Sequence, residues 1–329
     1  MRSNPRRNLL TFPRQRLCLA VTATLLLLVP PLLARHAVAK RKNRSSVVAV
    51  QGLPPSIQNG TGLRLLVAAE DNQPSLHVAL AGSADSGRTI YVLFPEHVTA
   101  RRRGAQEAEH LYLFRAERQG QRPRWRSIGN ALQYERDFDH GIHMLARATL
   151  EEDGVRFSYE FVNRSKVDYD MIYAVTDPRL TGIFHDVRLE RTYVHHKEGF
   201  DLLASETPSR LTMPLSEWLP ARYLASFTWP VPEQRVERRD DGITYYNKSR
   251  AVDEPMIATV SMNGQWIIAI FSKTAGNVWS NPELTCQHVD PAKSLGASQK
   301  AELEVKMLVL RGSLNDVLHK VKEQRSKLQ

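Results

Sequence analysis

The sequence predicts an all-β protein, a large antiparallel β-sandwich closed by one C-terminal α-helix, on three observations. Short segments of apolar–polar alternation succeed one another through residues 61–311. Turn dipeptides such as Asp153-Gly154, Asp241-Gly242 and Asn263-Gly264 stand between them. No helical periodicity intervenes until the last element, which fits paired antiparallel strands and argues against a βαβ sheet.

Taken in chain order, residues 1–39 read as a secretory signal peptide. Basic residues from Arg2 to Arg16 precede an apolar run, Leu17 to Leu33, and Ala37-Val38-Ala39 offers small residues for a signal peptidase. The run contains Pro30-Pro31 and is marginal for a membrane-spanning helix. Cleavage and release, giving a secreted or periplasmic protein with no membrane contact, is the expectation; an uncleaved membrane anchor is the alternative. Residues 40–60 form a basic, then Pro- and Gly-containing flexible tether.

All ten surplus positive charges fall within residues 1–44, leaving 35 Lys and Arg against 35 Asp and Glu in the rest. Phosphate backbones are held by a surplus of surface cations. A neutral body has none, so no nucleic acid partner is expected. Cys18 lies in the leader, so Cys286 is the single thiol of the body and makes no internal disulfide. It is expected to be a small buried apolar group.

Val155 to Phe161 alternates strictly, which puts Val155, Phe157, Tyr159 and Phe161 on one face of a strand. Ala301 to Met307 repeats the pattern. Further strands are predicted at Leu63–Ala69, Leu76–Ala81, Ile90–Phe94, Leu111–Arg115, Met144–Leu150, Asp170–Val175, Ile243–Asn247, Ile257–Ser261 and Trp266–Phe271. His185 to Pro232, rich in Pro, Trp and Tyr, reads as an irregular excursion suited to a binding surface. Residues 312–329 form the helix: Ser313 is the N-cap, Asp316 completes a capping box, and Leu314, Val317, Leu318, Val321 and Leu328 make one apolar stripe.

Three constellations offer chemistry. His140 and His143, beside Asp137 and Asp139, would share a face on a helix but point apart on a strand. No Cys or recognised zinc spacing accompanies them, so no metal or cofactor is expected, and they stand as ligand-binding candidates. His185-Asp186 offers an imidazole and a carboxylate for acid–base work, although neighbours on a strand diverge. His195-His196 has the same limitation. Trp218, Trp229 and Trp279 have flat faces able to stack on sugar rings; Trp279, in the turn-rich run Asn277 to Pro282, is the expected exposed platform. No phosphate-binding glycine loop, Gly-x-Ser-x-Gly elbow, His-Glu-x-x-His pair or cysteine pair occurs.

Two segments, Glu152 to Ser165 with its Asn-containing turn and Trp279 to Pro291 followed by Leu295 and Ala301–Leu310, resemble the galactose mutarotase-like superfamily. The resemblance implies the superfamily's supersandwich. Its epimerases use a His after the Asn-containing turn and a Glu in the late turn. Here Tyr173 to Pro178 holds no His, and His288 or Asp290 stands where the Glu is expected, so the resemblance argues against mutarotase activity. His288 joins His185 and Asp186 as a catalytic candidate, and Asp290 joins Trp279, His140 and His143 as a ligand-binding one. Carbohydrate binding is the expected function. The alternatives are a carbohydrate-active enzyme (isomerase, lyase or hydrolase) using His and Asp, and a non-catalytic envelope protein contacting partners through the helix.

Overall fold

The computed structural model describes residues 55–68, 73–80, 89–111, 113, 123–207, 212, 214 and 219–329. The segment that reads as a signal peptide, most of the segment expected to be a tether, and Trp218 lie outside the described residues. With strands numbered in chain order, a ten-stranded sheet runs β1 (Ser56–Gln58), β2 (Arg64–Val67), β3 (Ser75–Ala79), β4 (Thr89–Leu93), β12 (Asp177–Arg179), β21 (Cys286–Val289), β20 (Asn277–Asn281), β15 (Ala221–Ser226), β17 (Thr244–Asn247) and β16 (Val236–Arg238). A nine-stranded sheet runs β14 (Gly199–Leu202), β13 (Thr192–His196), β18 (Met256–Val260), β19 (Ile267–Ser272), β23 (Lys300–Leu310), β10 (Gly154–Asn163), β9 (Ile142–Glu151), β8 (Ala131–Asp137) and β7 (Arg126–Ile128). A third sheet has four strands: β22 (Lys293–Leu295), β11 (Tyr169–Ala174), β5 (Val98–Arg102) and β6 (Glu109–Leu111). Pairing is antiparallel except between β15 and β17.

The strict alternation of β10 has the predicted result: Val155, Phe157, Tyr159 and Phe161 are fully buried while Arg156, Ser158 and Glu160 are not. Phe94 lies 5.1 Å from Phe157 and 5.0 Å from Tyr159, ring centre to ring centre. Burial of each such ring contributes about 1.5–3 kcal/mol. The buried phenols are satisfied, Tyr134 donating to the Phe94 carbonyl at 2.7 Å and Tyr159 sharing a 2.7 Å bond with Thr176.

Strand β19, Ile-Ile-Ala-Ile-Phe-Ser, does not alternate because both its faces are covered. Ile268 and Ile270 join the main core, whereas Ile267, Ala269 and Phe271 pack with Val317, Val321 and Leu328 of the C-terminal segment. Helix α1 (Leu314–Arg325) has the predicted capping box at Ser313 and Asp316, and it is the α-helix among the described residues. No helix there is long and apolar enough to cross a membrane. Lys306, 3% exposed, ties the helix to the sheet by donating to Glu151 (2.5 Å), Asp153 (2.7 Å) and Gln324 (2.5 Å). The adjoining turn requires Gly154: a Cβ there would lie 1.9 Å from the Met307 carbonyl oxygen.

Some expectations change. About a third of His185 to Pro232 is strand, as β13, β14 and β15, and Ser56–Gln58, within the expected tether, is strand β1. Of the strand expected at Leu111–Arg115, Leu111 ends the strand Glu109–Leu111 and the buried Leu113 lies in a bend, with 112, 114 and 115 outside the described residues. Trp279 sits within β20, not in a turn.

Candidate functional site

The ten-stranded sheet brings a polar cluster together near its middle. Opposed residues on paired strands share a face. Arg179 opposes Cys286, and Trp279 opposes His288. Asp177 and Arg179, two apart on β12, and Cys286 and His288, two apart on β21, therefore lie on that face with Trp279 of β20. Gln287, with the opposite orientation, bonds Thr259 of the facing sheet. The cluster consequently belongs to the outer face of the sandwich. Glu96 and His97 join it from the β4–β5 turn, which exchanges backbone bonds with Val175 at 2.8 and 3.0 Å.

Asp177 and His288 are almost fully buried, their side chains 1% and 2% exposed, with Asp177 Oδ1 3.5 Å from His288 Nε2. The Arg179 Nε–H donates to Asp177 Oδ2 at 2.8 Å and its guanidinium lies 3.5 Å from Glu96. Asp290 Oδ2 is 3.9 Å from His288 Nδ1. The Trp279 indole lies flat on the His288 ring, centroids 3.8 Å apart and planes 5° from parallel, and its N–H donates to Asp290. At the rim, Glu283 accepts from the Ala221 amide (2.9 Å) and from Arg222 (2.8 Å).

Burial dominates the electrostatics. It pushes the Asp290 carboxyl up to about 8, with the indole bond acting against it and Asp177 reinforcing it. His288 is held down at about 4, burial outweighing the pull of Asp177. Burial and then Asp177 raise Glu96, while Arg179 and Arg222 oppose. His97 is lowered to about 4 by burial and by His110. Burial and then the Asp177 charge also push the Cys286 thiol strongly upward. Cys286 is therefore buried, as its lone occurrence suggests, with its thiol beside the Asp177 carboxylate. The preceding Thr285, a β-branched residue, has φ of 50°, a conformation that requires support from its surroundings. Its hydroxyl bond to the Leu180 carbonyl supplies that support.

Of the residues singled out from sequence, His288, Asp290 and Trp279 come together. The others do not join them. His185 is exposed, and the buried Asp186 accepts from the Glu190 amide (3.1 Å), the Arg191 amide (2.9 Å) and the Thr192 hydroxyl (2.8 Å), so it organises a turn. His143 bonds Asp137 at 2.8 Å and His140 faces Glu109 at 3.1 Å, both outside the ten-stranded sheet. His195 pairs with Asp253 at 2.6 Å, and His196 with the Ala251 carbonyl at 2.8 Å. Trp279 is half-buried, one face covered by His288, whereas Trp229 is 57% exposed. Asp177, Arg179, Glu96, Arg222 and Glu283 escaped the sequence reading. Among the described residues, the set able in position and type to hold a metal ion is Asp177, Cys286 and His288.

No protein-family model matches the chain, and no curated protein matches it. Comparison with solved structures returns galactose mutarotase-like proteins, the superfamily that the sequence resembles. A galactose mutarotase-like protein from Lactobacillus casei is 10% identical, with a TM-score of 0.46, covering 78% of this chain and 100% of that one. Galactose 1-epimerase from Lactobacillus acidophilus is 9% identical, with a TM-score of 0.40 and coverages of 78% and 94%. An alpha-N-acetylgalactosaminidase from Bifidobacterium bifidum is 12% identical, with a TM-score of 0.45 and coverages of 80% and 38%.

Proposed function

We propose that this chain is an exported protein that binds carbohydrate on the outer face of its ten-stranded sheet. Export is the reading of the basic-then-apolar leader with its small-residue cleavage site. The observation that carries the binding reading is a set of buried polar atoms without protein partners in one cluster: Asp177 Oδ1, Glu283 Oε2, His288 Nδ1 and Asp290 Oδ1. A buried polar atom left unpaired costs about 1–3 kcal/mol, and hydroxyl groups, each both donor and acceptor, suit such atoms. Asp177, Glu96 and Glu283 outnumber Arg179 and Arg222 even with Asp290 protonated, so the cluster has no cationic surplus to hold a phosphorylated or acidic ligand. Neutral polyhydroxylated rings fit it best. The ligand enters past the half-exposed Glu96, His97 and Arg179.

Calorimetry against a panel of neutral mono- and oligosaccharides is the test. Binding of one or more sugars, lost in Arg179→Ala, is expected. A panel without any binder, or an Arg179→Ala variant that binds as tightly as the parent, defeats the proposal.

A second reading, turnover of the bound sugar, is favoured by one arrangement: the His288 imidazole lies between two carboxyl groups, Asp177 and Asp290. Proton transfer by a positioned imidazole accelerates reactions by about 100- to 10,000-fold. Anomeric exchange or bond cleavage followed by NMR, present in the parent and absent from a folded His288→Gln variant, identifies an enzyme. Binding without turnover leaves the first reading alone.

A further inference from the structure

Asp177, Cys286 and His288 bring a carboxylate oxygen, a sulfur and an imidazole nitrogen within 4.8 Å of one another, and all three residues are buried. The sheet register produces this set, because Arg179 opposes Cys286 and its same-face neighbours on the two strands are Asp177 and His288. The 3.5 Å between Asp177 Oδ1 and His288 Nε2 is close to the edge of a tetrahedron, about 3.3 Å, formed by two light-atom ligands each about 2.0 Å from a zinc ion.

The surroundings hold these groups without occupying the shared position. Arg179 takes Asp177 Oδ2, leaving Oδ1 directed at His288. Trp279 fixes the plane of the imidazole. Nδ1 of His288 faces Asp290 at 3.9 Å, on the side where a metal-bound imidazole commonly meets a carboxylate. Independently of the cysteine, Asp177 Oδ1 is buried and without a hydrogen-bond partner, as an atom awaiting a ligand would be.

We propose that Asp177 Oδ1, Cys286 Sγ and His288 Nε2 form a binding site for a divalent transition-metal ion of the zinc class. Magnesium and calcium take oxygen ligands, whereas a mixed sulfur, nitrogen and oxygen set matches zinc. On binding, the Cys286 S–H bond breaks, its proton leaves to solvent, and sulfur coordinates the ion as thiolate. Three protein ligands leave a fourth position for a water or a ligand oxygen. Occupation removes the Nε2 lone pair from acid–base use. The proposal goes beyond the carbohydrate reading and does not depend on it; it assigns Asp177 Oδ1 to the ion, which leaves Glu283 Oε2, His288 Nδ1 and Asp290 Oδ1 to that reading.

The test uses the untagged full chain, stripped with chelator, and the metal alone. Calorimetry is expected to find one zinc ion per chain, and Co2+ in its place to give a near-ultraviolet thiolate-to-cobalt band. Cys286→Ser should abolish that band, and His288→Gln should weaken zinc binding by about 100-fold or more, beyond what loss of an outer partner costs. No zinc binding by the parent, or a thiolate band that survives Cys286→Ser, overturns the proposal. X-ray absorption on the zinc-loaded parent decides independently of whether the variants fold: a shell with one sulfur supports the site, and a shell without sulfur refutes it. A panel without a sugar ligand would leave this result standing, and absence of zinc would leave the sugar result standing.

Discussion

Lys306 and His288 are polar side chains of almost equal burial, 3% and 2% exposed, each beside two carboxyl groups, yet only one of them is satisfied. Lys306 places its three N–H donors on three acceptors, Glu151, Asp153 and Gln324, and Gln324 closes the ring by donating to Asp153 at 2.7 Å. Lys248 is satisfied in the same way by Asp201, Leu202 and Ser205. His288 has no bond at Nδ1, and its carboxyl neighbours stand 3.5 and 3.9 Å away. A saturated buried network rigidifies a fold, while an incomplete one is a cost that calls for an external partner. The carboxyl groups differ accordingly. Burial pushes Asp153 up, but the bonds from Lys306 and Gln324 outweigh it and hold the group below its ordinary value. At Asp290 burial prevails.

The comparison breaks most visibly if Lys306 is replaced. Lys306→Met takes the ammonium from Asp153 and from Glu151, which keeps its bond from Arg156, and is expected to cost about 3 kcal/mol, read as a lower denaturant midpoint; a loss below about 1 kcal/mol would place Lys306 among ordinary surface pairs. A smaller effect follows from pH. Because the folded Asp153 holds its proton less tightly than the unfolded chain, its contribution is complete above the unfolded value of about 3.8 and lost as pH falls through the lower folded one. Stability should therefore fall with acid below about pH 4, with a shallower slope in Lys306→Met; parallel slopes for the two proteins would refute the assignment. Least of all should stability respond at the incomplete cluster. Asp290→Asn, near-isosteric and with one oxygen already unpartnered, is expected to change unfolding free energy by about 1 kcal/mol or less while lowering sugar affinity. A large destabilisation with unchanged affinity would make this cluster structural too.

The sequence discloses these two regions unequally. The elements around Lys306 follow from local patterns, the alternation of β10 and β23, the Asp153-Gly154 turn and the Ser313 cap, although the bonds of Lys306 itself span 155 and 153 residues to Glu151 and Asp153. The outer-face cluster is joined by pairing between distant segments. Strand β12 is three residues long with Pro178 at its centre, so it has neither alternation nor the usual composition of a central strand. Nothing in the local sequence therefore marks Asp177 and Arg179. Asn277, Ser280, Asn281 and Pro282 give the surroundings of Trp279 the composition of a turn, although cross-strand pairing with β15 and β21 makes that run a strand. His288 and Asp290 drew attention only through a superfamily resemblance. Sequence spacing also made His185 and Asp186 look like partners, whereas Asp186 is spent on its own turn.

The parallel contact of indole and imidazole at 3.8 Å gives the molecule a built-in optical signal. An excited indole is sensitive to the electron demand of an aromatic ring lying flat against it, so charging or coordinating His288 should alter the emission of Trp279. The difference in fluorescence between the parent and Trp279→Phe isolates that contribution from the other tryptophans. Events on the floor of the cluster can then be followed in dilute solution without any attached dye.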